Sequence, residues 1–265
     1  MALQKGDFIL IDYNAKVKET NEVFDTTHED VAKKEHLYKE GKIYEPKLVV
    51  VGEKWILIDE NLAEMEVEKP STVEISPEKG FGQRDPEKIK RVSLKQLLMK
   101  DINPQVGAQI EYPQGKDAVV RSVGAGRVLL DYNPPLAGKT LIYDVLVSKK
   151  LEGNVEKIGA LLHRRIPEIE EKQFIINLQD KNLTIEMPEV AFYIEGVQIR
   201  KRGVAMDIQK FFSEIIETKF VETFKSEPKP TPTTSAPTSP TEASSLPAPE
   251  AELSPEQETS PNTPQ

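Results

Sequence analysis

The chain has 265 residues, 38% of them hydrophobic, enough to bury one large core or several small ones. A net charge of −9 argues against a general nucleic-acid binder, and the absence of cysteine excludes disulfides, thiol nucleophiles and thiolate metal sites. No apolar run reaches about 18 residues and no leader-like stretch opens the chain, so a soluble cytoplasmic protein without membrane contact is expected.

Phe8 to Val17 alternates as a strand, with Ile9, Ile11, Tyr13, Ala15 and Val17 on one face. A turn at 18–22 leads to a short return strand, Val23-Phe24-Asp25-Thr26-Thr27. Residues 28–44 are polar and irregular in pattern. Lys47 to Val51 reads as a strand stopped by Gly52, and Trp55, Ile58, Leu62 and Met65 stand at helical spacing, which predicts a helix over 55–65. Thr72 to Ser76 is a strand, followed by the glycine-punctuated loop Pro77-Glu78-Lys79-Gly80-Phe81-Gly82.

From about Asp85 the texture changes. A short amphipathic helix at Leu94, Leu97 and Leu98 precedes three strand-like runs near 108–112, 118–123 and 128–132. A strongly alternating strand then covers 140–149, so 85–132 reads as a small domain inserted into a sheet that resumes near 140. Residues 153–226 read as a further α+β unit: a helical stripe from Val155 to Leu162, a hairpin at 173–187, a second stripe at Val204 to Ile215 and a last strand at 220–224. Half of the 20 prolines fall after residue 227. With Thr, Ser, Ala and Glu between them, 227–265 buries too little apolar surface to offset its chain entropy and is expected to be disordered.

Three pieces resemble the family of FKBP-type peptidyl-prolyl cis/trans isomerases: Tyr13 with Val23-Phe24-Asp25-Thr26-Thr27; Gly52 with the stretch Trp55 to Met65; and Ile75-Ser76-Pro77-Glu78-Lys79-Gly80-Phe81-Gly82. The block 85–132 and the following Asn133-Pro134-Pro135-Leu136-Ala137-Gly138 resemble the SlyD-like branch, which carries an insert-in-flap domain. The long C-terminal extension is similar to the archaeal long form. The resemblance implies an α+β fold, an antiparallel half-barrel wrapped on a short helix, split as 1–84 and 133–152 around the insert. It implies an isomerase needing neither metal nor cofactor, with Tyr13, Phe24, Ile58, Phe81 and Tyr143 lining the pocket. Trp55 would offer its backbone N–H to a substrate carbonyl, and Asp25 would be the polar handle. By the same resemblance the insert captures unfolded, proline-containing polypeptide, with Leu136 and Ala137 of the flap turn also in contact; Leu94, Leu97, Leu98 and Met99 suit either such a surface or the insert's own core.

Two positions depart from the family pattern: Phe81 stands where Tyr is usual, and Leu57 where Gly is common. A non-enzymatic holdase with a weakened prolyl site is therefore the rival reading. The apolar stripes of 153–226 suit internal packing or a homodimer face. Arg164-Arg165 and Arg200-Lys201-Arg202 suit solvated helix ends better than RNA or ribosome contact. His28, His36 and His163 have no ligand partners at useful spacing and are expected at the surface.

Overall fold

Strand β1 (Phe8–Val17) turns Ile9, Ile11, Tyr13, Ala15 and Val17 into one core and Phe8 into another, as the alternation predicts. The chain returns as β2 (Val23–Thr26), paired with Asn14 to Lys16. The computed structural model describes residues 2–225, so the expected disorder of 227–265 lies outside the described residues. Helix α1 (Glu29–Lys34) occupies the stretch that showed no pattern. Glu29 and Asp30 open it, Lys33 and Lys34 close it, and a Lys33–Glu29 pair spans one turn, all favourable to the helix dipole. Of its residues Ala32 alone is buried, so it has no apolar stripe to announce it.

Strand β3 (Lys47–Val50) takes the rest of the β1 edge, beside Phe8 to Ile11. The helix expected over 55–65 is a single turn, α2 (Asp59–Leu62). Gly52 (φ 90°) and Lys54 (φ 56°) take left-handed conformations that turn the chain just ahead of it. Buried Asp59 then accepts the Gly52 N–H at 3.0 and 3.1 Å, fixing the turn before α2. Three of the stripe residues, Ile58, Leu62 and Met65, still reach the core.

After β4 (Pro70–Ile75) the chain leaves this sheet. Strand β5 (Ile89–Ser93), helix α3 (Leu94–Leu98) and strands β6 (Gln109–Glu111), β7 (Asp117–Gly124) and β8 (Arg127–Asp131) build a separate antiparallel sheet of order β5-β8-β7-β6. Its core is Leu97, Ala118, Val120, Val128 and Leu130. Strand β5 is an addition to the three expected: its partly buried residues Ile89 and Val92 lie three apart, out of step with strand alternation. The two crossings into this unit are stapled by Asn133. Its amide donates to the Asp85 carbonyl (2.9 Å) and the Asp131 carboxylate (2.8 Å), while its oxygen accepts the Asp85 N–H (2.9 Å). Asp131 also pairs with Arg84 and Arg121.

Strand β9 (Leu141–Leu151) pairs with β1 from Val17↔Leu141 to Phe8↔Leu151 and with β4 on its other side, completing a five-stranded sheet. The remaining unit comprises α4 (Asn154–Arg165), the hairpin β10 (Ile175–Gln179) and β11 (Asn182–Met187), α5 (Val197–Phe211) and β12 (Glu217–Glu222), which runs parallel to β11. Helix α5 starts and stops earlier than its stripe suggested, and Phe212 and Ile215 turn into the core after its end. The buried side chains of α4 and α5 share one cluster with Phe8, Leu48, Val50 and Leu151 from the first sheet. The Phe8 ring meets Phe211 edge-on at 5.3 Å. No helix among the described residues is long and apolar enough to cross a membrane.

Candidate active site

Neighbouring strands carry their aromatic residues to one place. Tyr13 on β1 and Tyr143 on β9 stand 5.8 Å apart, ring centre to ring centre, and Phe24 on β2 meets Tyr143 at 6.1 Å, nearly perpendicular. Phe81, from the loop after β4, meets Phe24 at 6.5 Å, again edge to face. These are the offset and T-shaped contacts that aromatic quadrupoles favour. The rings wall a cavity of about 670 Å³, which Trp55, Ile56, Leu57 and Ile75 also line. Its size is that of a small-molecule or side-chain pocket.

Asp25 lies in the wall of this cavity. The Tyr13 hydroxyl donates to it at 2.6 Å, Lys42 at 3.0 Å, and Lys47 stands 3.6 Å away while also donating to the Tyr13 hydroxyl at 2.5 Å. Burial would raise the Asp25 carboxyl, but Tyr13, Lys47 and Lys42 outweigh it and hold it below the usual carboxylate range. Burial, then the Asp25 charge, pushes the Tyr143 phenol up to about 12. Both site phenols therefore stay protonated as donors at neutral pH, since Tyr13 is raised for the same reasons.

Tyr13, Phe24, Asp25, Trp55, Phe81 and Tyr143 thus come together, while Ile58 does not face the cavity. It is wholly buried ahead of α2, and Ile56 and Leu57 present themselves in its stead. Trp55 faces two ways: it lines the cavity, yet its ring packs edge-on against Phe211 (5.8 Å) and lies 3.6 Å beneath the Arg164 guanidinium. Lys42 escaped the sequence reading inside the polar stretch 28–44, and Lys47 because it is the polar first residue of an otherwise apolar strand. The available signal was Lys47's place opposite Ile11, one pleat from Tyr13.

In the insertion, Leu97 is core and Leu94 packs against that core, whereas Leu98 and Met99 are 50% and 76% exposed. Leu136 packs on the first sheet's core and Ala137 is buried, so both serve the fold of the turn; the next residue, Gly138, donates to the Gly82 carbonyl at 2.8 Å. His163 is not a surface residue. It is half-buried, bonding the Ile169 carbonyl and the Glu45 carboxylate, each at 2.6 Å. With an acceptor on each nitrogen, its pKa is raised despite a burial cost, and it ties α4 to the segment before β3. The arginines after it are engaged too: Arg165 forks onto Asp207 at 2.7 and 2.8 Å.

An aromatic-walled hollow on a mixed α+β sheet, with Asp25 fixed in its wall, is able to hold a substrate by shape and a few hydrogen bonds. Comparison with known proteins identifies the class. The model of the FKBP-type peptidyl-prolyl cis-trans isomerase family matches residues 1–147, and that of the FKBP26_C-terminal family matches residues 154–225. The short-type peptidyl-prolyl cis-trans isomerase of Methanocaldococcus jannaschii is 35% identical over 147 residues, 55% of this chain and 92% of that protein. A probable FKBP-type 16 kDa peptidyl-prolyl cis-trans isomerase of Pseudomonas fluorescens is 34% identical over 80 residues, 28% of this chain and 51% of its own. Among solved structures, the three FKBP domains of wheat FKBP73 align with a TM-score of 0.30 and 13% identity, over 58% of this chain and 42% of that one. The chain belongs to the FKBP-type peptidyl-prolyl cis-trans isomerase family and is an enzyme of that kind.

Proposed function

We propose that the hollow formed by Tyr13, Phe24, Asp25, Trp55, Phe81 and Tyr143 is the prolyl site, and that the insertion 85–132 captures unfolded polypeptide and delivers its X-Pro bonds to that site. The convergence of the aromatic residues on one cavity carries the proposal. Rotation about a peptide bond faces a barrier of about 18–20 kcal/mol because the C–N bond has double-bond character, and at X-Pro it takes about 10–100 s unaided. No bond is broken. The aromatic wall of the hollow favours the twisted amide, whose resonance is lost, over the planar one, which is differential binding of the transition state. Asp25, fixed from three sides, is the polar handle that orients the substrate backbone.

Phe81, 41% exposed at the rim, offers no hydroxyl to a substrate carbonyl. Phe81→Tyr adds one, a hydrogen bond of about 0.5–1.5 kcal/mol. The expected result is a kcat/KM about 2- to 10-fold higher on a blocked Ala-Xaa-Pro-Phe peptide in a protease-coupled assay; no gain would place Phe81 outside substrate reach.

The insertion between β4 and β9 supports the SlyD-like assignment, and its exposed Leu98 and Met99 support polypeptide capture. Methionine adapts its shape to varied apolar partners. Tethering such a site beside the prolyl hollow raises the effective concentration of X-Pro bonds there. The double variant Leu98→Asp with Met99→Asp is expected to lose most acceleration of proline-limited refolding of a denatured protein while keeping its rate on the short peptide. Equal loss in both assays, or in neither, would refute capture by this patch.

A further inference from the structure

Behind the prolyl hollow lies a second cavity, of about 740 Å³, between the first sheet and helix α4. Tyr13, Lys47, Trp55 and Ile56 line both cavities, so the two hollows share a wall. The far side of the second comes from the C-terminal unit, through Ala160, Arg164 and Pro167, and its outer lip is Ile43, 43% exposed.

We infer that this second cavity is a subsite for the substrate chain itself, taking an apolar side chain a few residues from the prolyl bond. The inference rests on the prolyl reading of the first cavity. Three observations favour that occupant. The two cavities adjoin along Tyr13, Lys47, Trp55 and Ile56, so an extended chain passing over the shared wall, at about 3.3 Å per residue, reaches from one to the other within a few residues. Basic and acidic side chains nearly balance in its lining, so charge gives little basis for selection. Between them lie Leu10, Ile43, Pro46, Leu48 and the Trp55 edge, a surface suited to an aliphatic or aromatic residue. The C-terminal unit is then part of substrate recognition. Arg164 and Phe211 act as positioning residues, the one stacked over the Trp55 ring and the other edge-on to it, and so hold a residue that lines both cavities.

The test uses the full chain, the variant Ile43→Asp and the gentler Ile43→Ser. Rates are read by exchange NMR on a blocked Ala-Xaa-Pro-Phe tetrapeptide and on two nonapeptides sharing that prolyl bond, with leucines three and four residues before it or after it. The unaltered chain should turn over one of the nonapeptides with a several-fold lower KM than the tetrapeptide. Ile43→Asp should remove most of that advantage, about fivefold, and Ile43→Ser part of it, while the tetrapeptide rate stays within twofold. Trp55 is the single tryptophan, so its emission should shift when the favoured nonapeptide binds the unaltered chain, at a concentration that rises in the variants. No advantage for either nonapeptide, or one that survives both substitutions, overturns the subsite. A tetrapeptide rate that collapses with the nonapeptide rate also overturns it, because Ile43 then acts on the first cavity. An unaltered chain that turns over none of the three peptides sinks the prolyl reading, and the subsite with it.

Discussion

Asp25→Ala is expected to lower kcat/KM on a short prolyl peptide by about tenfold to a hundredfold, with little change in fold. The carboxylate accepts from Tyr13 and Lys42 and faces Lys47. Deleting it leaves two ammonium groups and a phenol without their acceptor beside a hollow that must receive an apolar ring. A hydrogen bond to a charged group is worth about 1.5–3 kcal/mol, and about 1.4 kcal/mol is a tenfold rate change. Because the folded Asp25 carboxyl lies below its ordinary value, its contribution is complete above the unfolded pKa of about 3.9 and is lost as pH falls through the lower folded value. With Tyr143 pushed up to about 12, neither Asp25 nor the site phenols titrate near neutrality. The rate profile should therefore show no Asp25 inflection between pH 5 and 8. An inflection there that vanishes in Asp25→Asn would contradict the assigned state, and an unchanged rate in Asp25→Ala would remove it from the site.

The parts of this molecule that sequence reasoning reached are those where one physical demand governs each residue. Ile9 to Val17 and Leu141 to Val147 alternate because one face is packed and the neighbouring strand fixes the register, so both strands were legible. Tyr13, Phe24, Asp25, Phe81 and Tyr143 were reachable through their motif, although they converge from distant points in the chain. Features that depend on partners were not. Helix α1 stands on charge placement, with Ala32 its one buried residue, and α2 is a single turn although Ile58, Leu62 and Met65 keep helical spacing, because spacing fixes which face is buried and not how far the helix runs. Lys42 and Lys47 become site residues only because β3 lies against β1. His163 looks like a lone surface histidine until α4 packs it against Glu45 and the Ile169 carbonyl.

Leu130→Ala is expected to unfold the insertion while the first sheet stays intact. Leu130 is wholly buried, and the insertion's fully buried core is five side chains, two of them Ala118 and Leu130 itself. Truncating a core leucine costs about 2–5 kcal/mol, a large share of what so small a core provides. The first sheet keeps its own cluster from Ile9 to Val147, and the Asn133–Asp85 staple lies at the junction rather than in the lost core. Hydrogen exchange should show amides of β7 and β8 losing protection while β1 and β9 keep theirs. The short-peptide rate should stay within about twofold, since none of the cavity's lining comes from 85–132. Refolding of a denatured protein should fall to the level of a chain lacking 85–132. Leu161→Ala is the contrast: it sits in the cluster that Phe8 and Val50 share with α4 and α5, so its comparable cost should lower the melting of sheet and C-terminal unit together. If Leu130→Ala instead strips protection from β1 and β9 as well, the insertion and the isomerase core are one cooperative unit, and capture cannot be separated from catalysis by substitution.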